Sequence, residues 1–280
     1  MLYTRLVQRM LRNGTTTAQY FATIHLEASK ILADICNNFG QRAYVGKVNM
    51  DKLSPDYYIE ETQASLRDTE TFIQYCRAKF VPSPDRAYTI HPVVTPRFIP
   101  TCSHELLKGL GTLAEKYDCH IQSHAAETVD QLSLVRKMYP DLERDAKIFQ
   151  SVGLFRPSKT LFAHCVYLRN SEVDLFAANE IGIAACPYAN QLHSRNVVPV
   201  ERYMKRGLRV GLGTDVAGGS NLSMLSAVRL AILAERTVEF TNIDRDSEDW
   251  WPENTKPNWA IDYIWGYYLA TVRRFGIILM

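Results

Sequence analysis

Apolar residues along this chain fall into two alternating rhythms. Short runs rich in β-branched and aromatic residues recur near residues 15–23, 43–50, 87–97, 120–126, 159–167, 182–188 and 209–215, and these read as strands. Amphipathic stretches with an apolar residue every three or four positions separate them. In residues 26–39 the spacing of Ile31, Ile35 and Phe39 predicts one buried helix face, and Gly40 supplies the stop. After Ser103, a capping residue, Leu106, Leu107, Leu110, Leu113 and Ala114 form a stripe that needs a sheet to cover it. Ser171 with Asp174 predicts a capping box ahead of Leu175 and Phe176, and the next strand opens at Gly182. Seven strands, each with its own crossover helix, define an α/β fold built on a parallel sheet. The polar stretch 241–258 predicts a long surface loop. Nothing along the chain marks a boundary, so residues 1–280 read as one domain.

Length alone leaves one large core or two small ones open. At 280 residues the chain suits an α/β barrel of roughly 250 residues formed as a single unit. Hydrophobic residues make up 46% and charged ones 22%, enough apolar material for a sizeable core. The 32 Lys and Arg against 30 Asp and Glu leave a net charge of +2, which excludes a strong electrostatic attraction to nucleic acid or a membrane surface. No run approaches the roughly 18 apolar residues of a membrane span, and the opening MLYTRLVQRMLRNGTTT lacks the apolar core of a leader peptide. Six widely spaced cysteines without a CxxC pair read as reduced, buried thiols. The expected setting is cytoplasmic.

In a parallel barrel the loops at the C-terminal strand ends converge over one mouth, and active sites lie there. Three of the strand ends carry groups that can bind metal. Residues 120–126 supply His124, with Glu127 just beyond; residues 159–167 supply His164; residues 209–215 close on Asp215. Two imidazoles and a carboxylate suit Zn2+, and three protein ligands with an open position are the usual catalytic arrangement. Such an ion lowers the pKa of bound water towards about 7. Taken singly, each residue has an ordinary reading as a packed strand histidine or a turn-capping aspartate. The coincidence of three strand ends is what points to a site. His25, His91, His104, His120 and His193 have no comparable context, although His120 shares the strand face of His124 at a deeper level.

The segments NGTTTAQYFATIH, GKVNMD, VTPRF, HIQSHAAE, AHCVYL and GLGTDVAGG together resemble the guanine deaminases, zinc enzymes of the amidohydrolase superfamily. The resemblance runs from about residue 3 to about residue 240. It implies a TIM-barrel-like (β/α)8 fold, a homodimer, and hydrolysis of the exocyclic amine of guanine to give xanthine and ammonia in purine catabolism. On the matching positions it implies that His124, His164 and Asp215 hold zinc, that Asp215 also holds the nucleophilic water, and that Glu127 shuttles protons. It implies further that Arg97 grips the purine carbonyl and that Phe98 forms a wall of the base pocket. The chemistry is coherent, because hydroxide attack on an amidine carbon builds charge on the ring that a nearby carboxyl acid relieves. A guanidinium can orient the purine edge with two hydrogen bonds.

The same resemblance defines a departure. The family's first barrel strand carries an HxH pair that completes the metal site, and no HxH occurs in this chain. The chain opens on what corresponds to the helix before the second strand. The expected fold is therefore an incomplete barrel of about seven strands lacking the first, with two unpaired edges and a seam beside the metal site. Zinc binding should be weak and turnover impaired unless another element or subunit fills that seam. Two other readings stay open: a catalytically inactive remnant acting as an assembly partner, and another amidohydrolase, such as a chlorohydrolase or a different nucleobase deaminase. The motifs VTPRF and HIQSHAAE favour guanine over the latter.

Overall fold

The computed structural model describes residues 1–82, 89–241 and 262–271. Its strands, in chain order, are β1 Thr17–Phe21, β2 Arg42–Gly46, β3 Val48–Asn49, β4 Ile90–Pro96, β5 His120–Ala125, β6 Thr160–His164, β7 Gly182–Ala185 and β8 Arg209–Leu212. They pair in parallel in the order β1-β2-β4-β5-β6-β7-β8, with β3 pairing β4. β2 and β3 together occupy the run expected at 43–50, interrupted at Lys47, so eight short strands make seven staves. Among the described residues β1 and β8 do not pair, and each is an edge.

Two observations show that the sheet curls round on itself. Gln122 on β5 donates across the interior to the Tyr20 carbonyl on β1, at 2.8 Å. Residues of β1 and β8 also line one cavity of about 190 Å³, roofed by Tyr3, Leu6 and Met10 of the helix Leu2–Arg12. That cavity is the seam.

Helices cover the outside of the sheet. Ser103 caps the helix His104–Lys116 by accepting from the Leu106 N–H at 3.0 Å, and Leu106, Leu107, Leu110, Leu113 and Ala114 are all buried, as the stripe predicts. The helix Leu26–Asn38 differs from expectation. It buries Ser29, Leu32, Ala33 and Cys36, while Ile31 is 53% and Phe39 39% exposed. Small Ala33 and Cys36 let this helix pack closely in a core shared with Ala18 and Val45 of the sheet, and Ile35 only borders that core. The cap expected at Ser171 also moves. The helix Asn170–Ala178 starts after Arg169, whose N–H donates to Glu172 at 2.9 Å, because Arg144 holds the Glu172 carboxylate in place (Nε to Oε2, 3.0 Å). Asp174 pairs instead with Arg206.

All six cysteines are buried and unbonded to one another, and burial pushes the thiols of Cys36 and Cys102 up to about 12 and that of Cys119 up to about 11. Among the described residues no helix is long and apolar enough to cross a membrane. The loop expected at 241–258 lies outside the described residues beyond Thr241, where the helix Met224–Thr241 ends.

One glycine is fixed by backbone contact. A Cβ on Gly111 would stand 2.0 Å from the Val152 carbonyl oxygen, whereas one on Gly109 would meet only the Leu66 side chain, at 2.7 Å. Gly111→Ala is therefore expected to lower stability by about 2–3 kcal/mol despite alanine's better helix propensity. Gly109→Ala should stay within about 1 kcal/mol of the parent, since a leucine can turn aside. Thermal melts of the two variants give the comparison; equal losses would show that the backbone at Val152 yields.

Candidate active site

The residues expected to carry chemistry gather where the backbone leaves the strands. Ala126 follows β5 at φ 46°, His164 closes β6 at φ 68° with Cys165 at 56°, and Asp215 follows β8 at φ 53°. Left-handed backbone at non-glycine residues costs about 1–3 kcal/mol each and persists where surroundings enforce it. At Ala126 and His164 it coincides with the strand ends.

His124 is held by the Arg97 carbonyl, which lies 2.7 Å from its Nδ1 and accepts its main-chain N–H at 3.1 Å. Its ring stacks on His164, with centroids 5.3 Å apart and planes inclined by 19°, and it touches Phe21 at 4.3 Å on another side. Solvent reaches the ring through a cavity, but dense packing elsewhere pushes its pKa down to about 3, with His164 adding to the effect. The ring is therefore neutral, as a metal ligand requires. His164 is buried, its Nδ1 2.8 Å from Asn190 Oδ1 and its Nε2 3.7 Å from Glu127 Oε1. Asn190 opens a π-helical turn, Asn190–Ser194. The Glu127 N–H donates to Gln131 Oε1 at 3.1 Å, and Gln131 donates in turn to Asp145 Oδ1, also at 3.1 Å. Burial raises the Asp215 carboxyl above its ordinary value; His164 opposes this and Glu127 reinforces it. A Cβ on Gly218 would lie 2.5 Å from Asp215 Oδ2, so any larger residue there would oblige that carboxylate to shift.

Arg97 and His124 share a second cavity of about 390 Å³ with Phe21, Met50, Tyr57 and Tyr58. Its size falls in the range of small-molecule sites, about 300–1,000 Å³. Phe98 is not among its lining residues. Its ring lies 5.4 Å from the Arg97 guanidinium, a cation–π contact that steadies the arginine. The aromatic walls are Phe21 and the two tyrosines, which stand in the turn Asp56–Tyr58 after β3. Sequence reading missed these, together with Asn190, Gln131 and His193, whose Nε2 lies 3.3 Å from the Gly218 carbonyl beside Asp215. The DYY run after a strand was a usable signal for the tyrosines; the others carry none.

The donor set suits zinc in kind. Two imidazoles have Nδ1 against an oxygen, the arrangement that orients a ligating Nε2, and a carboxylate completes the three. It falls short in convergence, because among the described residues no three His, Cys, Asp or Glu side chains come together closely enough to hold one ion.

A curled parallel sheet with imidazoles and carboxylates at its C-terminal mouth defines a class, and comparison with known proteins gives it a name: the chain belongs to the amidohydrolase family, whose sequence model matches residues 2–253. Within that family it is similar to guanine deaminases. It is 39% identical over 240 residues to a probable guanine deaminase of Schizosaccharomyces pombe, covering 85% of this chain and 45% of that protein. It is 40% identical over 248 residues to the human guanine deaminase, covering 88% and 53%. The crystal structure of guanine deaminase from C. acetobutylicum with bound guanine superposes with a TM-score of 0.85 at 31% identity, covering 98% of this chain and 61% of that one. The chain thus spans about half the length of the curated relatives it matches, and its open sheet is an incomplete TIM-type barrel.

Proposed function

We propose that this chain carries the base-binding and proton-transfer machinery of a guanine deaminase, a hydrolase that converts guanine and water to xanthine and ammonia. The observation that carries the reading is one mouth in which Arg97 and His124 share an aromatic cavity while Glu127 stands 3.7 Å from His164. Arg97 grips the purine carbonyl, and Phe98 braces Arg97. Phe21, Tyr57 and Tyr58 take the flat faces of the base. Glu127 delivers a proton to the ring and later to the departing amine, and Asp215 holds the attacking water. His124, His164 and Asp215 are the residues that would hold zinc, which when bound makes hydroxide available at neutral pH. Their incomplete convergence supports weak zinc binding by this chain alone. The resemblance to guanine deaminases supports a homodimer, and six buried thiols that form no disulfide support a reducing, cytoplasmic setting.

The test is zinc-dependent xanthine formation by the purified 280-residue chain against a His164→Ala control. Turnover lost in the control supports the reading. A folded chain with no turnover overturns it in favour of the second reading, a silent assembly partner, which the poor convergence of the metal donors favours. Arg97→Ala is expected to weaken guanine binding by about 10–150-fold, the value of about 1.5–3 kcal/mol for hydrogen bonds from a charged group. Isothermal calorimetry reads it, and unchanged affinity would remove Arg97 from the pocket.

A further inference from the structure

The second stave of the sheet breaks at Lys47, directly after Gly46. The Lys47 side chain is fully buried, and its ammonium pairs with Glu60, which is 10% exposed. A buried ion pair adds little net stability over well-packed apolar residues, so its contacts are the place to look for its role.

Those contacts lead to the active-site mouth. Glu60 accepts from the Met50 N–H at 3.3 Å and from the Ser65 hydroxyl at 2.9 Å. Asn49, with its amide turned so that donors meet acceptors, donates to the carbonyls of Lys47 and Thr95 at 3.2 Å each and accepts from the Lys47 ammonium at 3.3 Å. The segment 48–50 is thereby locked, and it holds Arg97 at both ends. The Asn49 carbonyl accepts the Arg97 N–H at 3.1 Å, and Met50 Sδ lies 4.0 Å from the guanidinium. The Arg97 carbonyl faces His124 Nδ1 at 2.7 Å, which puts the ring proton on Nδ1 and leaves Nε2 with the lone pair.

We propose that the Lys47–Glu60 pair is a positioning device: it fixes the 48–50 segment, through it the place of Arg97, and through the Arg97 carbonyl the tautomer and orientation of His124. The catalytic meaning of Arg97 and His124 rests on the deaminase reading; the tautomer of His124 does not.

Side-chain 15N NMR of the histidines in the 280-residue chain tests this. The parent should show His124 as a single Nδ1-protonated tautomer, and a mixed or Nε2-protonated ring overturns the proposal. Lys47→Met and Glu60→Gln each leave a buried charge without its partner and should lower the melting temperature. The double variant should recover that temperature, as neutral replacements of buried pairs do. It still lacks the ammonium donor to Asn49, so its His124 resonances should remain shifted and its affinity for zinc about tenfold lower. Recovery of stability and of the His124 spectrum together would make the pair merely structural and the proposal wrong. If the double variant does not fold, Ser65→Ala, which removes one hydroxyl from both Glu60 and Asn49, must shift the His124 resonances, and an unmoved spectrum overturns the proposal. A spectrum that moves as expected in a chain that neither binds nor converts guanine leaves positioning intact and removes the deaminase reading. Normal turnover with an unmoved spectrum does the reverse.

Discussion

On the proposed deaminase reading, Glu127→Gln is expected to reduce zinc-supported xanthine formation by about 10²–10⁴-fold, the usual contribution of a positioned proton-transfer group. Guanine affinity should stay within about twofold of the parent, because an interaction used only in the transition state leaves ground-state binding alone. The substitution isolates chemistry from shape. Glutamine matches the volume of glutamate and keeps an oxygen towards His164, which now lies 3.7 Å from the carboxylate. The backbone at 127 is held independently of the side chain, by Gln131. What glutamine cannot do is give up and retake a proton. Initial rates of xanthine formation, paired with calorimetric binding of guanine, separate the two quantities. Undiminished turnover would assign proton transfer to another group and leave Glu127 as a partner for His164.

Which parts of this site can be read from sequence follows from the range of the interactions involved. Ser103 is legible because its cap closes over three residues, to the Leu106 N–H. His124, His164 and Asp215 are legible because a parallel barrel brings strand ends to one mouth whatever their separation in the chain. Asn190 is not, since it reaches His164 from 26 residues away, on a π-helical turn that no local pattern announces. Lys47 shows nothing of its partners in the sequence, because the fold alone places Glu60 and Ser65 around it. Ile31 and Phe39 mislead in the opposite sense. Their spacing identifies a helix correctly, but the buried face belongs to Leu32, Ala33 and Cys36, which face the sheet. Periodicity reports that a helix has an apolar side; contact with the rest of the fold decides which side goes in.

Folding stability should carry a component that falls as pH rises from about 4 to about 6, by up to about 3 kcal/mol, with Asp145 as its source. Asp145 is fully buried, and its carboxyl is pushed up to about 6, chiefly by that burial; Glu172 adds to the rise and Arg144 opposes it. The folded chain therefore binds this proton more tightly than the unfolded chain does. Below the unfolded value of 3.8 both states are protonated and the favourable contribution is complete. As pH climbs through about 6 the folded state must also ionise, and the contribution is lost. Asp145→Asn imitates the neutral acid, keeping an oxygen for Gln131, which lies 3.1 Å away. Chemical denaturation of parent and variant at several pH values between 4 and 7 isolates the residue. The variant should gain on the parent across that interval, and parallel curves would place the titration elsewhere. The effect reaches the candidate site because Gln131 links Asp145 to the Glu127 N–H. Ionised Asp145 is the stronger acceptor for Gln131, so near neutral pH the same charge that weakens the fold tightens the brace behind Glu127.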